Sequence, residues 1–272
     1  MSILSAVFFG VIQGLAEFLP ISSSGHLALA QAFFGTGEPD MTFSVLLHLG
    51  TLAAVLIVFY KDVFPLIPAF FRLIGKLFHK KFKLTHYDDN ERMVLFVIIA
   101  TLPLLPTALI NDYVAYLSTI PKLVGGILIF NGIVLFLSDH ISSGMKNLAD
   151  MKPHSALTVG LTQLCAILPG LSRSGSTITG ARLCGFSREF AVKFSFILSI
   201  PAIIGANVLE IPDFIENGIQ TDLVLPYAIG MVAALITGII AMKLLTYISK
   251  KKNFTVFSVY CVVIGLIAVI FA

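Results

Sequence analysis

Residues 13–26 read Gln13-Gly-Leu-Ala-Glu17-Phe-Leu-Pro20-Ile-Ser22-Ser23-Ser24-Gly25-His26, a polar sequence between two apolar runs. Gln13 and Glu17 are four residues apart and share one helix face, and Pro20 predicts that this helix ends just before it. A lone carboxylate in an apolar segment is costly and marks a functional site by default. The alternative is a plain helix N-cap at Ser24, but a cap needs one hydroxyl and explains neither Glu17 nor His26.

The composition is that of a membrane protein. Of 272 residues, 57% are hydrophobic and only 12% are charged, which is typical of a polytopic membrane protein and not of a soluble domain. The net charge of +3 is small, and no basic run alternates with aromatic residues, so no nucleic-acid partner is expected. The three cysteines fit neither a disulfide framework nor a Cys-x-x-Cys metal pattern. The first apolar run has no basic n-region and is not interpreted as a cleaved signal peptide.

Six segments are apolar and close to the length of about 20 residues that a helix needs to cross a bilayer. They cover about 41–60, 92–111, 120–138, 189–209, 223–243 and 254–272. Two other regions, 2–34 and 155–186, are apolar but interrupted, and each half is too short to cross comfortably. We predict that both are re-entrant helix–loop–helix units, because irregular backbone at membrane depth is tolerated only where protein or a water-filled cavity surrounds it.

The distribution of basic residues predicts the orientation. Lysine and arginine concentrate in the segments 61–92, 146–152, 182–193 and 243–252, whereas acidic residues predominate in the opposite loops. The positive-inside rule places the basic segments in the cytoplasm and both termini outside. The first re-entrant region then enters from outside and the second from inside. The segment 63–78 is apolar with spaced basic residues, and we expect it to lie along the cytoplasmic interface.

Short motifs repeat between the two halves. Gly10-Val-Ile-Gln13 recurs as Gly160-Leu-Thr-Gln163, Ser22-Ser-Ser-Gly25 recurs at the same separation as Ser172-Arg-Ser-Gly175, and Phe43-Ser44 recurs one residue later as Phe194-Ser195. Each half, 1–147 and 148–272, contains one re-entrant region and three spans, and because three is odd the second half must be inverted. We therefore predict a single membrane domain, all-α and polytopic, built from two inverted-topology repeats whose polar loops meet near the midplane.

One basic and one acidic residue lie deep in the interrupted regions, Arg173 in the second and Glu17 in the first. One interpretation is a structural ion pair, although a buried pair contributes little net stability. The other is an anion site. The segment 169–177 is rich in hydroxyls, small residues and free backbone N–H groups, which suits phosphate oxygens, and Arg173 can bind two such oxygens at once.

Phosphoryl transfer needs charge stabilisation, a nucleophile and a group that handles protons. Arg173 and the loop N–H groups can supply the first, and a serine among Ser22–Ser24 can supply the second. His26 or Glu17 can handle protons. Gln13 can orient Glu17 or a water molecule, but it cannot act as a base.

The motifs Gln-Gly-x-x-Glu-Phe-Leu-Pro-x-Ser-Ser-Ser-Gly-His and Pro-Gly-x-Ser-Arg-Ser-Gly resemble those of the bacterial undecaprenyl-diphosphate phosphatases of the bacitracin-resistance type. The resemblance covers essentially the whole chain. It implies a multi-pass enzyme of the bacterial plasma membrane that removes the terminal phosphate of a C55 polyprenyl diphosphate, with its active site facing outside. It also implies bacitracin resistance and recycling of the lipid carrier for cell-wall synthesis. The implied partner is the lipid substrate. We further expect contacts with membrane lipids, and a homodimer is the candidate assembly.

The resemblance also implies site residues and a divalent cation, Mg²⁺ or Ca²⁺. The implied catalytic residues are Glu17, Ser23, His26 and Arg173, and the implied phosphate contacts are Ser172, Ser174 and Thr177. To these we add, as candidate substrate-binding residues from the two motifs, Gln13, Ser22, Ser24, Gly25 and Gly175. Glu17 is the one residue we assign to the cation. The family carries Glu or Gln at the position that Gln13 occupies in this chain. Because the residue here is Gln, a metal site with two carboxylates is not expected at this place.

Two reaction routes remain open. If a helix begins nearby, Ser23 and His26 can approach each other, so that Ser23 attacks phosphorus while His26 takes its proton or protonates the leaving phosphate. Glu17 then orients His26 or helps to hold a cation against the diphosphate. In the other route, water attacks directly, activated by Glu17 or His26, and the serines only bind phosphate.

A second class of function also fits the pattern, because inverted repeats with broken helices are a transporter architecture, and the cargo would be a lipid phosphate. Among the remaining polar residues, His48 is interpreted as a packing histidine in mid-span. Asn131 and Asn207 lie within spans and are expected to form interhelical hydrogen bonds.

Overall fold

A computed structural model describes residues 1–34, 41–78, 87–141, 144–217, 221–251 and 254–272. Within these ranges the chain is all-helical, and the β pairing is limited to an isolated bridge between Lys146 and Phe186. The helices are α1 Ile3–Phe18, α2 Ser23–Phe34, α3 Met41–Val58, α4 Tyr60–Val63, α5 Leu66–Phe78, α6 Asp89–Thr101, α7 Asn111–Ser118, α8 Pro121–His140, α9 Pro153–Cys165, α10 Arg173–Leu183, α11 Arg188–Asn217, α12 Val224–Lys251 and α13 Thr255–Phe271. Part of the basic segment 61–92 and some of the opposite acidic loops lie outside the described residues.

The first interrupted region is a helix, a short loop and a second helix. α1 ends at Phe18, so the helix break predicted from Pro20 is confirmed. α1 has 16 residues and is about 24 Å long, which is less than the roughly 30 Å hydrocarbon core. The cap of α2 is Ser22 and not Ser24, because Ser22 Oγ accepts from the backbone N–H of Gly25 at 3.3 Å.

The second interrupted region has the same construction. α9 and α10 are shorter still, with 13 and 11 residues. Ser172 caps α10 by accepting from the backbone N–H of Gly175 at 3.1 Å. The two serines that the repeat aligns, Ser22 and Ser172, therefore both start a helix that leads away from the loop.

The predicted spans correspond to helices, with three differences. Four helical stretches, beginning at Asp89, Pro121, Arg188 and Val224, are long and apolar enough to cross a membrane, and a fifth is added if α3 and the helices after it count as one span. That fifth stretch bends by 81° after Val58. The span predicted at 92–111 is α-helical only to Thr101 and continues as a 3-10 helix over Leu102–Ile110, which contains two prolines that lack backbone donors. α13 has 17 residues and is slightly short.

Close helix pairs form the frame around the loops. α1 packs along α12, and α9 packs along α6 and the 3-10 helix that follows it. Glycine permits both approaches. A Cβ at Gly10 would lie 2.3 Å from the carbonyl oxygen of Gly230, and one at Gly160 would lie 2.6 Å from that of Ala100. α8 packs with α13, and α3 packs with α11 and α12.

The segment predicted along the interface forms α4 and α5. α5 packs against α6, where Lys76 Nζ lies 2.6 Å from Glu91 Oε2 and Arg72 Nη2 lies 2.9 Å from Asp88 Oδ2. The backbone N–H of Glu91 holds the pKa of the Asp88 carboxyl below its usual value, and Arg72 acts in the same direction. Phe71 remains exposed on the other side. The position of the segment 63–78 along the membrane interface stays a prediction.

Candidate active site

The two re-entrant loops meet at the carboxylate of Glu17. Ser23 Oγ donates to Glu17 Oε2 at 2.7 Å, and Gln13 Nε2 donates to the same oxygen at 3.1 Å. Arg173 Nη2, from the second loop, donates to Oε1. Glu17 is buried, whereas Ser23 and Arg173 are part-buried. The ion pair given above as one interpretation of the deep carboxylate and the deep arginine is present across the two halves.

The positive ends of two helices point to the same place. Ser23 is the first residue of α2 and Arg173 is the first residue of α10. Arg173 also donates from Nη1 to the carbonyl oxygen of Ser199 at 3.2 Å, which fixes the guanidinium between α1 and α11. The site thus combines an arginine, two helix N-termini and a hydroxyl, which are the groups that bind and polarise a phosphate.

A cavity of about 570 Å³ opens in front of this cluster. Its polar wall includes Glu17, Ser23, Ser24, Ser172 and Arg173. The rest of the wall is mostly apolar and comes from the 3-10 helix after α6, from α9 and from α11. Because a polar end adjoins an apolar wall between membrane helices, the cavity suits an amphiphile with a charged headgroup.

Four predicted binding residues do not line the cavity and contact other parts of the protein instead. Ser174 Oγ donates to the carbonyl oxygen of Leu19 at 3.1 Å, and the Thr177 hydroxyl lies 2.7 Å from that of Ser195. A Cβ on Gly25 would lie 2.8 Å from Gly170 Cα, so this glycine lets the two loops touch. Gly175 gives its N–H to the Ser172 cap. Their substrate contacts stay predictions, and the hydroxyl groups have partners within the protein.

Two further predicted binding residues, Ser22 and Gln13, lie close to Glu17 and Ser23, but only Ser22 lines the cavity. Ser22 lines the cavity and has a φ of 73°, a left-handed conformation that costs a non-glycine residue about 1–2 kcal/mol. Its main chain is thus strained beside the nucleophile candidate. Gln13 is completely buried and contacts Glu17, as expected for an orienting residue.

His26 faces away from Ser23. Its Nδ1 lies 2.8 Å from the carbonyl oxygen of Ser22, and its Nε2 lies 2.8 Å from the hydroxyl of Tyr260 on α13. The imidazole and phenol rings stack with an interplanar angle of 7°. No hydrogen bond joins His26 to Ser23 among the described residues, and the Ser23 hydroxyl donates to Glu17 instead. The catalytic role assigned to His26 therefore stays a prediction that this geometry does not favour.

The interhelical hydrogen bond expected of Asn131 is confirmed, because its Nδ2 lies 3.4 Å from Cys261 Sγ on α13. Sequence reasoning missed that Asn131 also contacts both loops, and it missed the place of His48 at the site. Asn131 on α8 joins the loops, because its Nδ2 donates to the carbonyl oxygen of Pro20 at 3.0 Å and its Oδ1 accepts from the N–H of Ser172 at 3.2 Å. His48 was interpreted as packing but lines the cavity. The available signal was the same for both, a polar side chain within an apolar span. Asn207 differs, since neither atom of its amide has a hydrogen-bond partner in the described part of the chain, so its predicted interhelical bond is wrong there.

A metal site built by the protein alone finds no support in the described ranges. No group of three or more His, Cys, Asp or Glu side chains there is arranged to hold an ion. Glu17 brings a single carboxylate, and the neighbouring Gln13 has an amide that donates to it. A cation at Glu17 would thus need substrate oxygens as its other ligands, as Mg²⁺ commonly does.

Comparison with known proteins identifies the family of this chain. The family model described as bacitracin resistance protein BacA matches residues 6–267. An undecaprenyl-diphosphatase of Methanobrevibacter smithii is 43% identical over 271 residues, which cover 98% of this chain and 96% of the relative. One of Halothermothrix orenii is 40% identical over 273 residues, covering 100% of this chain and 99% of the relative. The chain belongs to the bacitracin resistance protein BacA family.

Proposed function

We propose that this BacA family member is a membrane-embedded undecaprenyl-diphosphatase. It hydrolyses undecaprenyl diphosphate, a C55 polyprenyl diphosphate, to undecaprenyl phosphate and inorganic phosphate. This reaction cleaves a phosphorus-containing anhydride, recycles the lipid carrier for cell-wall synthesis and confers bacitracin resistance. The observation that carries the proposal is the contact of Ser23 and Arg173 with Glu17 at the polar wall of a cavity between apolar helices. Family membership gives no support to the alternative of a lipid phosphate transporter.

The substrate competes with Glu17 for Arg173. At rest the guanidinium is paired with the carboxylate, and both groups have lost much of their hydration. A terminal phosphate brings more negative charge and matches the two-pronged donor geometry of arginine. The helix N-termini at Ser23 and Arg173 add favourable dipoles, while the prenyl chain follows the apolar wall toward the lipid. Partners are thus the lipid substrate and membrane lipids.

Ser23 is the proposed nucleophile and Glu17 its base. The Ser23 hydroxyl already donates to Glu17 at 2.7 Å, so its proton passes to the carboxylate as Oγ attacks the terminal phosphorus. Undecaprenyl phosphate leaves from the opposite side, and Arg173 stabilises the charge on the equatorial oxygens. Water then hydrolyses the phosphoserine. Ser22, Ser24 and Ser172 line the cavity and bind phosphate oxygens.

We further propose that the halves are inverted repeats with the boundaries predicted above. Support comes from matched packing, because α1 against α12 corresponds to α9 against α6, each through a motif glycine. The basic segments then face the cytoplasm of a bacterial inner membrane, and both termini and the active site face outside. A divalent cation, Mg²⁺ or Ca²⁺, between Glu17 and the diphosphate and a homodimeric assembly stay predictions.

The test is phosphate release by the purified full-length protein. With undecaprenyl diphosphate in detergent micelles, the parent should release inorganic phosphate, and Glu17→Gln should lower the rate by about 10³-fold because the serine loses its base. Chelation of divalent cations should slow the parent if a cation takes part. Ion-coupled transport in liposomes without any hydrolysis would contradict the proposal and favour the transporter.

A further inference from the structure

We propose that His48 is a second base of this site, which activates the water that hydrolyses the phosphoserine. The inference rests on the covalent route proposed above and extends it to the second half of the reaction.

His48 is placed where such a base is needed. It lies on α3 and forms part of the cavity wall together with Glu17, Ser23 and Arg173. The side chain is part-buried and lines the cavity.

The hydrogen bonds of His48 leave a lone pair for the cavity. Its Nδ1 lies 2.9 Å from the carbonyl oxygen of Ser44, and because a carbonyl only accepts, Nδ1 carries the hydrogen in the neutral ring. Nε2 then bears the lone pair, and no described residue forms a hydrogen bond to it. His26 has the same bond at Nδ1, to Ser22, but its Nε2 is occupied by the Tyr260 hydroxyl.

The internal repeat aligns Ser23 and His48 with two residues that contact each other in the second half. The motif Phe43-Ser44 aligns with Phe194-Ser195, so His48 aligns with Ser199, and Ser23 aligns with Arg173. In the second half, Arg173 hydrogen-bonds to Ser199 at 3.2 Å. The equivalent pair in the first half is Ser23 and His48.

The chemistry needs a second base because Glu17 is used in the first step. Glu17 holds the proton of Ser23 once the phosphoserine has formed. In the second step a water proton goes to His48 Nε2, the water oxygen bonds to phosphorus, and the bond between phosphorus and Ser23 Oγ breaks. Glu17 returns its proton to that oxygen, inorganic phosphate leaves, and His48 releases its proton to water in the cavity. Both carboxylate and imidazole end in their starting states.

The experiment is rapid acid quench with undecaprenyl diphosphate labelled with ³²P in the terminal phosphate. For His48→Gln we expect steady-state turnover to fall by about 10²-fold, the usual contribution of a general base. The first release of undecaprenyl phosphate should stay within about threefold of the parent rate, so protein-bound ³²P should rise toward one per chain. For His48→Ala, added imidazole should restore part of the turnover, which also covers a folding defect of the glutamine variant.

The matched control is His140→Gln. His140 has the same Nδ1 bond, 2.8 Å to the carbonyl oxygen of Phe136, but it does not line the cavity, so both rates should be unchanged. Equal slowing of both steps in His48→Gln, or unchanged turnover without rescue, would overturn the proposal. Absence of bound ³²P in every protein, together with an active Ser23→Ala variant, would instead overturn the covalent route itself.

Discussion

The two re-entrant loops share a frame but differ in chemistry. Both have a motif glutamine near the end of the first helix and a serine that caps the second helix, Ser22 in one loop and Ser172 in the other. Where the first loop has Glu17, the second has an apolar residue, Ile167, and where the first has Ser23, the second has Arg173. The shared positions build the loops, and the differing positions meet at the cavity.

This comparison explains why a repeat gives one site and not two. An inverted pair of identical loops would put two serines or two arginines against each other. Because Ser23 and Arg173 occupy equivalent positions, the pair supplies one nucleophile and one phosphate ligand, with Glu17 between them. Ser174, in the second loop, donates to the carbonyl oxygen of Leu19 in the first, whereas the aligned Ser24 is exposed to the cavity.

The largest expected effect is an all-or-none difference in thiol labelling, which tests on which side of the membrane the loops of the second half lie. In a variant without native cysteines, Ala149→Cys should react with an impermeant thiol reagent only from the cytoplasm and Asp222→Cys only from outside. Labelling of both positions from one side would mean that residues 155–186 cross the membrane, which would end the inverted-repeat account. An exchanged pattern would move the active site to the cytoplasmic side.

Arg173→Lys tests whether the site needs the two-pronged hydrogen-bond donor of arginine or only its positive charge. Lysine keeps the charge but loses the two-pronged donor that spans Glu17 and Ser199. We expect kcat to fall by about 10²-fold, with the thermal unfolding temperature close to that of the parent. Arg72→Lys, at a surface ion pair on α5, should be fully active. Near-full activity of Arg173→Lys would mean that a point charge suffices.

Asn131→Leu should separate the loops from each other. It leaves the buried N–H of Ser172 without its acceptor and leaves the carbonyl of Pro20 only the weak thiol donor of Cys261 at 3.8 Å, at a cost of about 2 kcal/mol in unfolding free energy. Asn207→Leu is the control, because that amide has no described partner to lose. The measurement is thermal denaturation in detergent. Equal destabilisation of the two variants would contradict the role of Asn131 in joining the loops.

The smallest effect is expected from the aligned serines Ser174 and Ser24. Ser174→Ala should lower the unfolding free energy by about 1 kcal/mol, since it removes a buried hydrogen bond between the loops. Ser24→Ala should change stability by less than about 0.5 kcal/mol, because Ser24 is exposed, and should instead raise KM modestly. The reverse order of the two stabilities would mean that the loops are not held as described.

Simple rules predicted the helix break at Pro20, because proline restricts the backbone next to it whatever the rest of the fold. They also pointed to Glu17 and Arg173 as residues that meet, because a charged side chain deep in an apolar segment needs a partner. These rules did not predict the features that depend on how the helices pack. The 81° bend after Val58 has no proline or glycine at that point. His26 turns toward Tyr260, which is distant in sequence, and His48 reaches the cavity because of the packing of α3. Such contacts follow from tertiary structure alone.

The most direct test of the central claim is the location of phosphate after acid quench with ³²P-labelled substrate. The account predicts label on Ser23, none on Ser22 or Ser24, and loss of turnover in Ser23→Ala, while Ser22→Ala and Ser24→Ala retain activity. Turnover of Ser23→Ala at more than about one hundredth of the parent rate, a loss under roughly 2.7 kcal/mol, would contradict covalent catalysis and leave direct attack by water.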